Sequence, residues 1–253
     1  MPQNIFDDPD FFSSYMRIRL NAAGHNELIE KPALISLLPE LMDAHVLDLG
    51  CGHGDLCRYM VKQGASHITG IDVSGEMITC ARGYGENDRI DYHQQDMATV
   101  EVPAASLDLV TSSLAIHYVE DYPALVSRVY SLLKPGGYFV FSVEHPIYTA
   151  PSSGPGPSWL DDDQQQRRYW KLDAYGDESQ RVVDWLVNGV QKYHRKTETY
   201  INTLIDQGFN ICKILEPQPG DDALAINPEL AYEINRPPFL LIKAQKCSDE
   251  HVA

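Results

Sequence analysis

Residues 46–54 read Val46-Leu47-Asp48-Leu49-Gly50-Cys51-Gly52-His53-Gly54. An apolar run ending in glycines predicts a buried strand over 44–49, a tight turn, and a helix with Leu56, Tyr59, Met60 and Val61 on its apolar face. Glycines there permit positive φ and let a ligand approach the backbone, while the helix N-terminus offers unpaired N–H groups. The stretch therefore points to a nucleotide-like ligand. A dinucleotide fingerprint would need glycine at position 55, where Asp55 sets a negative charge near the place of a pyrophosphate, so a dehydrogenase is a weak rival.

Downstream, strands are expected at 67–72, 90–94, 107–112 and 138–143, with helices at 75–82 and 122–133 between them. Such alternation, in runs apolar enough to be covered on both faces, predicts a doubly wound α/β fold with a mostly parallel sheet. Asp72 closes the second strand and is placed to accept from ribose hydroxyls, although Ser74 and Glu76 allow it to be a helix cap instead. Asp96 and Met97 follow the third strand, where a carboxylate can accept from an exocyclic amine. Leu133-Lys134-Pro135-Gly136-Gly137 reads as a sharp turn between helix and strand.

The remainder of the 253 residues falls around this core. We expect a single domain: a helical cover over 1–43 laid across the sheet edge, a cofactor-binding core over 44–145, an inserted lid over 146–192, and a helix with an antiparallel hairpin over 193–246. Proline and glycine break the chain after Glu144, and the insertion holds all three tryptophans, Trp159, Trp170 and Trp185, with Tyr148, Tyr169 and Tyr175. These rings are either the insertion's own core or the wall of a planar substrate's pocket.

Composition narrows the function. With 36 acidic against 20 basic residues and a net charge of −16, a phosphate backbone or an anionic membrane surface is a poor partner. No apolar run approaches the ~20 residues of a membrane span. The acidic start, with Asp7, Asp8 and Asp10, lacks the pattern of a signal peptide, so a cytoplasmic location is expected. Five cysteines without a Cys-x-x-Cys pair and nine histidines without ligand spacing predict free thiols and no metal.

The ordered set Val46 to Gly54, Gly70 to Asp72, Gln95 to Met97, Asp108 to Ser113 and Leu133 to Gly137 resembles the class I S-adenosylmethionine-dependent methyltransferases, especially the group related to ubiquinone and menaquinone methyltransferases. The resemblance is strong over 44–145 and weak in the aromatic insertion. It implies a seven-stranded Rossmann-like sheet and S-adenosylmethionine as cofactor, released as S-adenosylhomocysteine. By position, Asp48, Gly50, Cys51 and Gly52 would surround the methionine part and ribose, and Asp72 would hold the ribose diol. Met77 would cover the adenine, with Asp96 and Met97 at its edge and Ser113 and Leu114 by the methionine. Tyr15 and Arg19 resemble a Tyr and Arg that reach the cofactor carboxylate in relatives with a similar leader.

A sulfonium methyl is already activated, so the enzyme chiefly positions a nucleophile. His145 and, after it, His117 are the candidate bases, since they follow the fifth and fourth strands, where such folds bind ligands; His194 would join the substrate site with Tyr148, Trp159, Trp170 and Trp185. The expected acceptor is an N or O atom of a small, aromatic or heterocyclic metabolite, and the expected assembly a monomer or homodimer. Carbon methylation and a non-catalytic cofactor-binding protein are the alternatives.

Overall fold

A computed structural model describes residues 4–152, 159–161 and 167–248. The chain enters through α1 (Pro9–Arg19), a π-helical turn at Asn26–Glu30 and α2 (Lys31–Leu37). Then come β1 (His45–Leu49), α3 (Asp55–Lys62), β2 (His67–Asp72), α4 (Gly75–Gly83), β3 (Ile90–Gln94), β4 (Leu107–Ser113), α5 (Tyr122–Leu132) and β5 (Leu133–Glu144). The insertion comprises α6 (Pro146–Thr149), a short pair β6 (Trp159–Asp161) and β7 (Arg167–Trp170), and a hairpin β8 (Gln180–Trp185) and β9 (Val187–Tyr193). The chain closes with α7 (Thr197–Gln207), β10 (Phe209–Leu215), α8 (Asp221–Ile226) and β11 (Phe239–Lys246).

Seven strands form one sheet in the order β10-β11-β5-β4-β1-β2-β3. Pairings among β1 to β5 are parallel, and β11 runs antiparallel to both β5 and β10. This is the doubly wound, mostly parallel sheet expected from the alternation of elements, with the expected antiparallel closing hairpin. The order reverses between β1 and β4, so a crevice opens at their C-terminal ends, where this architecture binds ligands. Buried residues pack on both faces: Val46, Ile68, Leu109 and Leu241 in one cluster, Leu47, Ile71, Val110 and Leu240 in the other. The strands are apolar on both faces because both are covered.

Two local expectations are corrected. Residues 133–137 are no free turn: β5 begins at Leu133, and its register against β4 shifts between the Leu107↔Leu133 and Leu109↔Tyr138 pairs, with Gly136 at φ +81° inside the irregularity. Glycine accommodates that left-handed residue while the strand bulges. The N-terminal cover does not lie on the sheet edge either. Its α2 packs against the inner strands β5 and β11, and Leu34 and Leu37 enter the core. No described helix is long and apolar enough to cross a membrane.

Candidate functional site

The glycine turn after β1 sits in the crevice. Gly50 and Cys51 both donate their N–H to Ile71 O at 2.9 Å, which ties the turn to β2. Gly50 has φ +71°, and a Cβ there would lie 2.4 Å from Ala115 Cβ. Gly52 has φ +53°, and a Cβ there would meet nothing within 4 Å, so its missing side chain leaves room beside the backbone. Asp72 secures the other flank: one carboxylate oxygen accepts from Gly52 N and the other from Ser74 N, each at 2.9 Å. Burial raises its pKa, and those two N–H groups oppose the shift.

A cavity of about 500 Å³ lies over this turn. Gly50, Gly52 and Asp72 line it with Met77, Asp96 and Met97, and Ser113, Leu114 and Tyr15 close one side. The size is in the range of small-molecule sites. Leu114 takes φ +51°, uncommon for a branched side chain, and its N–H donates to Ser142 O and Ser142 Oγ. A second cavity, of about 1020 Å³, adjoins the first. Phe6, Tyr15, Leu114 and Tyr118 line both, forming a common wall.

The larger cavity is roofed by the N-terminal segment and the insertion. At the β8–β9 tip, Trp185 meets Phe11 and Tyr15 edge-on, with ring centroids 5.6 and 6.1 Å away. Tyr148 stacks on Trp170 at 5.4 Å, and the Arg236 guanidinium lies 4.1 Å from the Trp170 centroid. Arg236 pairs with Glu233, and Lys192 pairs with Glu144 at 2.6 Å; both cations are buried. Arg19 also lines this cavity, and against the cost of burial the Glu30 and Asp55 carboxylates favour its charged form.

Most of the residues singled out from sequence converge on these two cavities, but several do not. Asp48 lies beneath the turn, accepting from Cys57 Sγ and Thr111 Oγ1, and burial pushes its pKa up to about 6. Cys51 Sγ likewise points into the packing around Gly70. Neither lines either of these two cavities, and both support the turn from below. His145 is turned away: Nδ1 accepts from Ile147 N at 3.1 Å, and Nε2 faces Glu216 Oε1 at 2.8 Å. It caps α6 rather than facing the cavity. His194 is held between Thr149 Oγ1 and Tyr175 O and lines neither cavity. Trp170, Trp185 and Tyr148 do line the larger one. Of Trp159 only the backbone is described, paired with Trp170; its side chain lies outside the described residues.

His117 lines the larger cavity, but as a donor. Its Nδ1 accepts the backbone N–H of Glu144 at 3.4 Å, which assigns the ring proton to Nε2. Burial holds the imidazole neutral, with its pKa lowered to about 4. His117 was expected to serve as a base; in this structure its basic nitrogen faces the Glu144 N–H.

Sequence reasoning overlooked Phe6, Tyr118, Glu144, Lys192 and Glu30. The first two sit beside residues already noticed, but only the fold shows that they form the common wall. Glu30 closes the π-helical turn, is fully buried, and accepts from Ser142 Oγ at 2.5 Å and Ser113 Oγ at 2.9 Å. Burial raises its pKa, opposed by Arg19 and the two hydroxyls. Nothing in its local sequence marks it.

A glycine turn at the switch point of a doubly wound sheet, with an acidic residue ending the next strand, marks the binding site of a nucleotide-type ligand, and a second cavity lies against the same wall. A methyltransferase-domain family model matches residues 47–141. The crystal structure of an S-adenosylmethionine-dependent methyltransferase from Mesorhizobium loti is 44% identical, with TM-score 0.79, over 86% of this chain and 97% of that one. An uncharacterized protein of Haemophilus influenzae is 36% identical over 96% of this chain and 97% of its own. A malonyl-[acyl-carrier protein] O-methyltransferase of Enterobacter lignolyticus is 36% identical over 47% of each chain. The chain belongs to the class I S-adenosylmethionine-dependent methyltransferases.

Proposed function

We propose that this enzyme methylates a nitrogen or oxygen atom of a small polar metabolite held in the larger cavity, with S-adenosylmethionine in the smaller one. The observation that carries the reading is the wall of Phe6, Tyr15, Leu114 and Tyr118 shared by the two cavities. It gives two ligands a common boundary across which one group can pass.

The smaller cavity suits the cofactor. Open space at Gly52 admits a ligand against the backbone, and each Asp72 oxygen, engaged by one N–H, keeps a lone pair for a ribose hydroxyl. In this reading Met77 covers the adenine, Asp96 and Met97 flank its edge, and Gly50, Ser113 and Leu114 border the methionine portion. Tyr15 and Arg19 reach toward its carboxylate. When bound, the cofactor supplies a methyl group activated on a sulfonium.

What the chain adds is chiefly orientation and exclusion of water, the largest contributions open to a reaction whose electrophile is already activated. The aromatic rings of Phe6, Tyr15 and Tyr118 supply faces suited to a cationic sulfur. The buried ion pairs Glu144–Lys192 and Glu233–Arg236 favour a polar substrate over a long apolar one, while Tyr148 and Trp170 give it a planar wall. The likeness to a malonyl-[acyl-carrier protein] O-methyltransferase over 47% of this chain agrees with this reading.

The test is methyl transfer from isotopically labelled S-adenosylmethionine to fractionated cell extract. Label is expected in the small-molecule fraction and lost on Asp72→Ala. Label confined to protein or RNA would contradict the reading.

A further inference from the structure

Four described residues other than glycine have a left-handed backbone, Asp43, Ala105, Leu114 and Leu186, and of these Leu114 alone lines either of the two cavities. A branched side chain is disfavoured in that conformation unless its surroundings hold it, and such residues concentrate at functional sites. Leu114 borders both cavities. Its neighbour Ala115 lines the smaller one, with its Cβ 2.4 Å from where a Cβ on Gly50 would stand, so the Leu114–Ala115 backbone packs directly on the glycine turn.

What holds Leu114 is a relay that starts outside the sheet. Its N–H donates to Ser142 O at 3.1 Å and to Ser142 Oγ at 3.0 Å. An N–H can only donate, so the Ser142 hydroxyl accepts from Leu114 and sends its own hydrogen elsewhere. That hydrogen goes to Glu30 Oε1, 2.5 Å away, and the same oxygen accepts from Ser113 Oγ at 2.9 Å. Glu30 and Ser142 are both 0% exposed, so bulk water does not compete for these bonds. Glu30 precedes Ser113 by 83 residues and Ser142 by 112, on the π-helical turn of the N-terminal cover. Neither Glu30 nor Ser142 lines either cavity, so any influence they have on a ligand passes through Leu114 and Ser113.

We propose that Glu30 is a positioning residue for the cofactor: through Ser142 it fixes the Leu114–Ala115 backbone against the glycine turn, and through Ser113 it orients a hydroxyl of the smaller cavity. The proposal rests on the methyl-transfer reading above. Asp72 anchors one side of that cavity through Gly52, and Glu30 anchors the wall at the ends of β4 and β5. Without an acceptor at position 30 the Ser142 hydroxyl is free to turn, its lone pair is no longer directed at the Leu114 N–H, and the left-handed backbone competes with ordinary conformations. Affinity then falls with the fraction of molecules in which the wall is formed.

The readout is the affinity of the folded protein for S-adenosylhomocysteine, by calorimetric titration well below each variant's unfolding midpoint. A group that merely adds stability leaves this affinity unchanged. Glu30→Ala is expected to weaken binding at least about fivefold, the scale of the left-handed penalty for a branched residue. Glu30→Gln, whose amide oxygen still accepts from both hydroxyls, should stay within about twofold of the native protein. Ser142→Ala removes the relay with Glu30 in place and should weaken binding at least about threefold; it replaces Glu30→Ala throughout should that variant not fold. Leu114→Gly supplies the discriminating background, because glycine takes the left-handed conformation unaided. There the further loss from Glu30→Ala should shrink to about twofold or less. Native affinity in Glu30→Ala or in Ser142→Ala, a Glu30→Gln variant as weak as Glu30→Ala, or an undiminished loss in the Leu114→Gly background would overturn the proposal. Failure of the native protein to bind S-adenosylhomocysteine would instead overturn the methyl-transfer reading beneath it.

Discussion

Gly50 is constrained in two ways at once, by a left-handed backbone and by Ala115 Cβ standing where its own Cβ would be. Gly50→Ala should therefore cost about 2 to 4 kcal/mol in denaturant unfolding, from overpacking added to backbone strain. His117 makes a prediction in pH. Its imidazole takes up a proton near pH 6.5 in the unfolded chain but only near pH 4 in the fold. As pH falls from 6.5 the unfolded state is protonated first, so native stability drops, by roughly 3 kcal/mol at pH 4, and the contribution is complete above 6.5. Asp48 works in the opposite direction, since its raised pKa favours proton uptake by the folded state. The measurement is thus the difference from His117→Asn, whose amide oxygen can still accept the Glu144 N–H. The native protein should lose stability relative to this variant as pH falls from 6.5 to 4; parallel profiles would contradict the assignment. At this scale Gly50, Gly52 and Asp72 were legible in the sequence because residue type and strand position together limit what they can do. The orientations of His117, His145 and Asp48 were not, because they depend on which backbone N–H or side chain the fold brings to each polar atom.

Among the elements, the hairpin β8–β9 and helix α1 form the roof by meeting at one residue. Trp185 touches both Phe11 and Tyr15 across 174 residues of sequence from Phe11, and Lys192 lies over its ring. Trp185→Ala should loosen both elements together. We expect faster amide exchange in 9–19 and 180–193 alike, with a loss of roughly 1 to 3 kcal/mol for a partly buried ring. Exchange that rises in the hairpin alone would show that α1 is seated independently. The strands of the core were readable because their apolar runs and flanking glycines repeat in a βαβ rhythm. The β5 bulge and the seat of α2 were not. The first depends on register against β4, and the second on which face of the sheet remained to be covered. The aromatic insertion was visible as a compositional change, but its choice between self-packing and lining a pocket is resolved only in three dimensions, where Trp170, Trp185 and Tyr148 do both.

The molecule as a whole has two halves, a crevice dictated by the strand order and a second cavity roofed by segments from both ends of the core. Glu30 links the two halves: it sits on the N-terminal cover and holds the hydroxyls of Ser113 and Ser142 at the ends of β4 and β5. Its raised pKa means that the folded state takes up the proton more readily, so its contribution to stability is lost as pH rises through the folded value. Glu30→Gln, which retains an acceptor for both hydroxyls, should be more stable than the native protein at pH 8, with the gap narrowing toward pH 5; a thermal unfolding series reads this directly. The cofactor itself is tested by calorimetric titration of the protein with S-adenosylhomocysteine. Saturable binding is expected, raising the thermal midpoint and weakening at least about tenfold in Asp72→Ala, where the proposed ribose acceptor and the anchor of Gly52 are lost together. No heat of binding at millimolar ligand, or an affinity indifferent to Asp72, would contradict it.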